Sequence, residues 1–170
     1  MEIGRFIRDV PDFPIEGILF KDITPLLGNA EALRSTIDAL VAHYADWHID
    51  RVVAIESRGF IFGTPLAIAL DAGFVPIRKP GKLPADTISV EYSLEYGTNT
   101  LEVHADAIQP GERVLVVDDL LATGGSARAA VSLVEQCQGE VVGTAFVIEL
   151  EFLNGRDALE GYDVFSLLTY

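Results

Sequence analysis

Residues 114–130, VLVVDDLLATGGSARAA, place two carboxylates, Asp118 and Asp119, at the end of an apolar run and follow them with a turn containing Thr123, Gly124, Gly125 and Ser126. An acidic pair suits a metal or the hydroxyls of a sugar, whereas successive backbone N–H groups in a turn that enters a helix suit a phosphate. The two glycines let the backbone approach an anion closely, and the hydroxyls of Thr123 and Ser126 add donors. Leu120 and Leu121 alone separate the acids from the turn, which starts at Ala122. That spacing suits a ribose 5-phosphate, with hydroxyls on the acids and phosphate in the turn 122–126. The pattern is neither a Gly-x-x-x-x-Gly-Lys-Ser/Thr loop nor Gly-x-Gly-x-x-Gly. An acidic strand end followed by an ordinary glycine turn accounts for the same residues.

Other groups with chemical potential are few. Arg78, Lys79 and Lys82 put three cations within five residues, and Arg58 adds a fourth at another strand end. They form either an anion subsite or a solvated cluster. His43 and His48 flank Tyr44 and Trp47 at the end of a helix, and His104 follows an apolar strand, so structural roles are expected for all three. Acidic residues outnumber basic ones 26 to 12, a formal charge of −14, which argues against nucleic acid and anionic membrane as partners and for a small one. Cys137 is the only cysteine; it rules out an internal disulfide framework, fits a reducing compartment, and reads as a buried thiol at a helix tail. The start, MEIGRFIRDV, lacks a secretory pattern, and no apolar run reaches the roughly 18 residues of a membrane span. A cytoplasmic location is expected.

These residues need a scaffold, and the pattern around them alternates between helix and buried strand. Asn29 is placed to cap a helix through NAEALRSTIDALVAHYADW, where Leu33, Ile37, Leu40, Val41 and Tyr44 recur at helical intervals. RVVAIE, FVPIRK, TLEVHA, RVLVVDD, EVVGTAFVIEL and DVFSLLTY read as strands, and GFIFGTPLAIAL and SARAAVSLVEQCQ as helices. A chain of 170 residues with this alternation predicts a single α/β domain, 1–170, whose mostly parallel sheet is covered by helices on both faces. Ligands of such sheets sit at the carboxyl ends of the strands. Residues 79–100 resist the scheme and read as a long lid loop, with a β-hairpin excursion as the alternative because ISVEYSLEY alternates loosely.

VLVVDDLLATGGSA resembles the phosphoribosyl pyrophosphate signature of the type I phosphoribosyltransferases. FPIEGILFKDITPLL, AIESRGFIFG, IRKPGKLP and YSLEYGTNTLEVH extend the resemblance, in order and over essentially the full length, to the adenine-using branch of that family. The resemblance implies the family fold, with a small N-terminal hood over about residues 1–28 and a flexible lid. It also implies a purine salvage reaction, transfer of the 5-phosphoribosyl group from phosphoribosyl pyrophosphate to N9 of adenine, giving AMP and pyrophosphate. Magnesium would arrive on the substrate rather than in a protein cage, and the assembly would be a homodimer. Carried onto this chain, Asp118 and Asp119 bind ribose, and Ala122, Thr123, Gly124, Gly125 and Ser126 bind the 5-phosphate. Ser57, Arg58, Arg78, Lys79 and Lys82 hold pyrophosphate, with a strained Glu56-Ser57 peptide in the loop. Leu19, Phe20 and Lys21 form the adenine site: the ring of Phe20 stacks on the base, the Leu19 carbonyl faces the exocyclic amine and the Lys21 N–H faces N1. Glu95 is the catalytic acid/base and Tyr96 helps seal the lid. A nucleotide-sensing regulator built on the same fold, or a xanthine-type transferase, remains the alternative.

Overall fold

Apolar spacing divides the chain into a front segment of short elements and a longer alternation of buried strands and helices. The computed structural model describes residues 1–94 and 96–170. In front, a 3₁₀ turn (Ile3–Phe6) leads into β1 (Arg8–Pro11) and β2 (Leu19–Asp22), which pair antiparallel as a sheet of their own, and then a short helix, α1 (Thr24–Gly28). Asn29 starts α2 (Ala30–Tyr44) as expected: its Oδ1 accepts the Ala32 N–H at 2.9 Å, satisfying a donor that a helix start leaves open. Ala32, Thr36, Leu40 and Tyr44 recur every four residues and are all buried.

The rest of the chain runs β3 (Arg51–Ile55), α3 (Arg58–Ala69), β4 (Gly73–Ile77), β5 (Thr87–Ser93), β6 (Thr98–His104), β7 (Arg113–Leu121), α4 (Gly125–Gln136), β8 (Glu140–Glu149) and β9 (Val164–Thr169). Five strands form the central sheet in the order β4-β3-β7-β8-β9, and every neighbouring pair is parallel. Alternate residues serve opposite faces. Val52, Ala54, Leu115 and Val117 pack into the layer of α2 and α3, while Val53, Ile55, Val114 and Val116 pack against α4. Burial on both sides is why these strands read as unbroken apolar runs. Gly63 brings α3 tight onto β3, since a Cβ there would lie 2.7 Å from the Ala54 Cβ. Among the described residues no helix is long and apolar enough to cross a membrane.

One expectation needs correction: TLEVHA does not join the parallel sheet. Within residues 79–100 the structure takes the alternative reading, a β-hairpin. β5 and β6 pair antiparallel, from Thr87↔His104 to Ser93↔Thr98. Leu101 and Val103 are buried while Ile88, Val90 and Tyr92 pack on the same cluster as α4. Burial on one face accounts for the alternation of apolar and polar residues in both strands. A backbone bridge between Arg78 and Glu102 fastens this hairpin to the end of β4.

Candidate active site

The chain leaves β3 for β4 on one side and returns to β7 on the other, so a crevice opens between the carboxyl ends of β3 and β7. Pairing of these strands stops at Ala54↔Val117, but β7 continues to Leu121 against β8. Asp118 and Asp119 therefore lie within the strand, just past its last partner on β3, rather than beyond its end. Asp119 is 5% exposed and its Oδ2 accepts Arg58 Nε at 2.5 Å. Asp118 Oδ1 accepts the Asp119 N–H at 2.9 Å, and a Cβ on Gly59 would meet that same oxygen at 2.9 Å. Glycine at position 59 thus lets the first turn of α3 lie directly on the acidic pair. Burial pushes the Asp118 carboxyl well above the usual range, and the neighbouring Asp119 charge pushes it further.

Beyond the acids, residues 122–126 bend around a cavity of ≈ 180 Å³ whose wall also includes Arg58, Asp118 and Asp119. Gly124 has φ +85° and α4 starts at the next residue. The first-turn N–H groups and the dipole of a helix starting there are suited to an anion. The rear of the turn is seated backbone to backbone on a 3₁₀ segment, Gly155–Leu159: a Cβ on Gly124 would lie 2.5 Å from the Gly155 carbonyl oxygen, and one on Gly155 would lie 2.4 Å from that of Ala122. Arg156 fixes the segment, donating to Glu149 at 2.7 and 2.8 Å, and Ser166 donates to the same carboxylate at 2.6 Å. The Arg156 contact holds the Glu149 carboxyl below the ordinary glutamate range. On the front, a Cβ on Gly125 would lie 3.3 Å from the ring of Tyr92, where the β5–β6 hairpin meets the turn.

A second cavity, ≈ 360 Å³, adjoins the first and is lined by residues 55–58, Lys79, Tyr92, Asn99, Leu101, Asp118, Asp119 and Ser126. The Glu56-Ser57 peptide is cis. Lys79 reaches this cavity. Arg78 and Lys82 instead turn to Glu56, at 3.2 and 3.7 Å.

On the front hairpin, Phe20 meets Phe13 edge to face at 5.1 Å, and the two line an apolar cavity of ≈ 270 Å³ with Val10 and Asp22. Alternation along β2 sends Lys21 the other way, where its ammonium bonds Asp9 at 2.6 Å and lies 4.0 Å from the centre of the Tyr170 ring. Leu19 is half-exposed, with Pro11 opposite it. Glu95 lies outside the described residues; its neighbour Tyr96 is 87% exposed. His43 stacks on Phe165 at 3.7 Å, and His104 accepts the Ala85 N–H. Cys137 is buried, which pushes its thiol up.

The crevice thus brings together the acids, the glycine turn, Ser57, Arg58 and Lys79. The side-chain contacts of Glu56, and Gly59, Tyr92 and the Glu149–Arg156 support, were missed by reasoning from the sequence. Only the glycine in SRGF gave a signal, as a small residue at a helix start.

A family profile described as the phosphoribosyl transferase domain matches residues 23–166. An adenine phosphoribosyltransferase from Halothermothrix orenii is 61% identical over 168 residues, 99% of each chain. The crystal structure of adenine phosphoribosyltransferase from Thermoanaerobacter pseudethanolicus superposes with a TM-score of 0.97 at 53% identity, covering 99% of this chain and 98% of its own. That of the Saccharomyces cerevisiae enzyme, complexed with an imino-altritol bisphosphate and adenine, gives 0.94 at 45% identity, covering 98% and 96%.

Proposed function

The chain belongs to the phosphoribosyltransferase family, and from that premise we propose that it transfers the 5-phosphoribosyl group of phosphoribosyl pyrophosphate to N9 of adenine, releasing AMP and pyrophosphate in purine salvage. The juxtaposition of the acidic pair with the 122–126 turn in one crevice carries this reading. The turn takes the 5-phosphate, and Asp118 and Asp119 take the ribose hydroxyls and stabilise positive charge as it develops on the ring. Ser57, Arg58 and Lys79 line the adjoining cavity for pyrophosphate, with Arg78 and Lys82 beside it.

The donor set fits a hard cation brought in by the substrate: two carboxylates share a cavity with the cations that would meet pyrophosphate. Bound magnesium supplies charge neutralisation on the leaving group. The protein's own residues orient the sugar and grip its two ends.

Phe20 stacks on adenine, and the backbone of its neighbours reads the base. Two features support this. Pro11 has no N–H to offer the Leu19 carbonyl opposite it, and the ammonium of Lys21 is engaged by Asp9 and Tyr170, leaving position 21 to act through its N–H. Adenine presents a donor and an acceptor on that edge, and 6-oxopurines present the reverse, leaving buried groups unpaired on both sides. Incubation with phosphoribosyl pyrophosphate, Mg²⁺ and each purine should convert adenine to AMP and leave hypoxanthine, guanine and xanthine poor substrates. Comparable turnover of any 6-oxopurine would remove the adenine assignment, and no turnover of any purine would favour a sensing protein.

Asp119→Asn removes charge beside the ring and loosens the Arg58 pair. Single-turnover rates should fall by roughly 10²-fold, with AMP affinity changing far less; an unchanged rate would take Asp119 out of transition-state stabilisation. We further propose a cytoplasmic homodimer. The exposed Ile61 and Ile68 on α3 are apolar surface of the kind a second copy covers.

A further inference from the structure

The pyrophosphate side of the crevice carries an anion of its own. The side chain of Glu56, 9% exposed, follows β3 directly. One of its oxygens accepts the Lys79 N–H at 2.8 Å and Arg78 Nε at 3.2 Å, and the other lies 3.7 Å from Lys82 Nζ. Burial alone would push this carboxyl up, but the Lys79 N–H, Lys82 and Arg78 more than offset it, and Glu56 stays below the ordinary range and ionised at neutral pH. Arg58 is likewise paired, with Asp119. Among the described residues, Lys79 is the one of these four cations whose ammonium has no acid partner, and it lines the cavity.

A second carboxylate frames the same turn. Glu102 accepts the Gly81 N–H at 3.0 Å and the Thr87 hydroxyl at 2.5 Å, and its backbone exchanges two hydrogen bonds with Arg78. The turn from 78 to 82 is therefore anchored independently of Glu56. Removing the Glu56 charge would release Arg78 and Lys82 without dismantling the segment that carries them.

We propose that Glu56 stands in for pyrophosphate when the site is empty, holding Arg78, Lys82 and the Lys79 N–H, and competes with the pyrophosphate group for those donors when substrate binds. This inference rests on the functional reading above. The incoming group takes the donors from Glu56, and Glu56 reclaims them as the leaving group departs. Pyrophosphate is thereby held more weakly, and released faster, than Arg78, Lys82 and the Lys79 N–H would allow if unopposed. A Glu56 that merely held the turn in shape would have the opposite signature, because its loss would scatter the cations and weaken binding.

The sign of one change decides between them. Full-length wild type and Glu56→Gln are titrated calorimetrically with phosphoribosyl pyrophosphate plus Mg²⁺, and with AMP, which lacks the pyrophosphate. For Glu56→Gln the dissociation constant of phosphoribosyl pyrophosphate should fall by about three- to tenfold, the scale of a few partly solvated charge contacts removed, while that of AMP moves by less than about twofold. Pyrophosphate should also inhibit turnover at correspondingly lower concentration, and kcat should drop as release slows. Phosphoribosyl pyrophosphate that binds equally or more weakly, with AMP unchanged, overturns the proposal. Should Glu56→Gln fail to fold, Glu56→Asp keeps the charge but withdraws it by one methylene; a smaller tightening supports the proposal, and none overturns it. Wild type that binds neither ligand overturns the functional reading, and this inference with it.

Discussion

Gly124→Val should weaken binding of both AMP and phosphoribosyl pyrophosphate by about 100-fold or more, roughly 2.8 kcal/mol. Two separate effects add. The backbone at 124 has φ +85°, a region that a side chain enters at about 1–2 kcal/mol and a β-branched one at more. The larger effect is steric. A Cβ would lie 2.5 Å from the Gly155 carbonyl oxygen and 2.8 Å from the Ala158 Cβ, and neither is the movable tip of a side chain. Relief requires the turn to lift off the Gly155–Leu159 segment, which Arg156 and Glu149 hold in place. The N–H groups of the turn, proposed to hold the phosphate, would move with it.

Gly161→Val separates the two effects. Gly161 has φ +89° and nothing within 4 Å of a Cβ, so it bears the backbone penalty alone. That protein should lose stability in thermal unfolding yet bind AMP as wild type does. A Gly124→Val protein that also binds AMP normally would put the phosphate in a different turn. Gly125 is a milder position than its neighbour, since a Cβ there meets the ring of Tyr92 at 3.3 Å and the ring can shift.

The positions easiest to read in the sequence were those whose chemistry is local. The acids and the glycine turn are contiguous, and parallel strands buried on both faces declare themselves as unbroken runs such as VLVV and RVVAI. The β5–β6 hairpin left a signal as well: Leu101 and Val103 alternate with Glu102 and His104, the pattern of a strand with one wet face, and that alternation should have kept TLEVHA out of the central sheet. Contacts between distant positions left none. Nothing around Glu56 indicates that Arg78 and Lys82, more than twenty residues on, will turn toward it. Gly155 looks like one more loop glycine until the fold sets its carbonyl behind Gly124. Arg156 and Glu149 are seven residues apart but belong to different elements, and their pairing depends on where β8 ends. Such supports are products of the tertiary structure, which is why the residues that line the crevice were easier to find than the residues that brace them.

Glu95→Gln should slow the chemical step by roughly 10²- to 10⁴-fold, about 3–5 kcal/mol at the barrier. Adenine loses a proton from its imidazole edge as N9 bonds to the sugar, and a carboxylate can take it where an amide of almost the same shape cannot. Tyr92, on the hairpin that leads to Glu95 in sequence, meets the glycine turn at Gly125. On either side of Glu95 in sequence, Leu94 N donates to the Gly97 carbonyl at 2.9 Å and Tyr96 is largely exposed. Binding should respond much less. With phosphoribosyl pyrophosphate held, as proposed, by the 122–126 turn and the cations, its dissociation constant should change by less than about threefold, roughly 0.7 kcal/mol. Single-turnover measurements are required, because slow product release would hide the chemical step in steady-state rates. A Glu95→Gln protein whose single-turnover rate equals that of wild type would make Glu95 an ordinary solvated residue and pass the proton to water or to another group in the crevice.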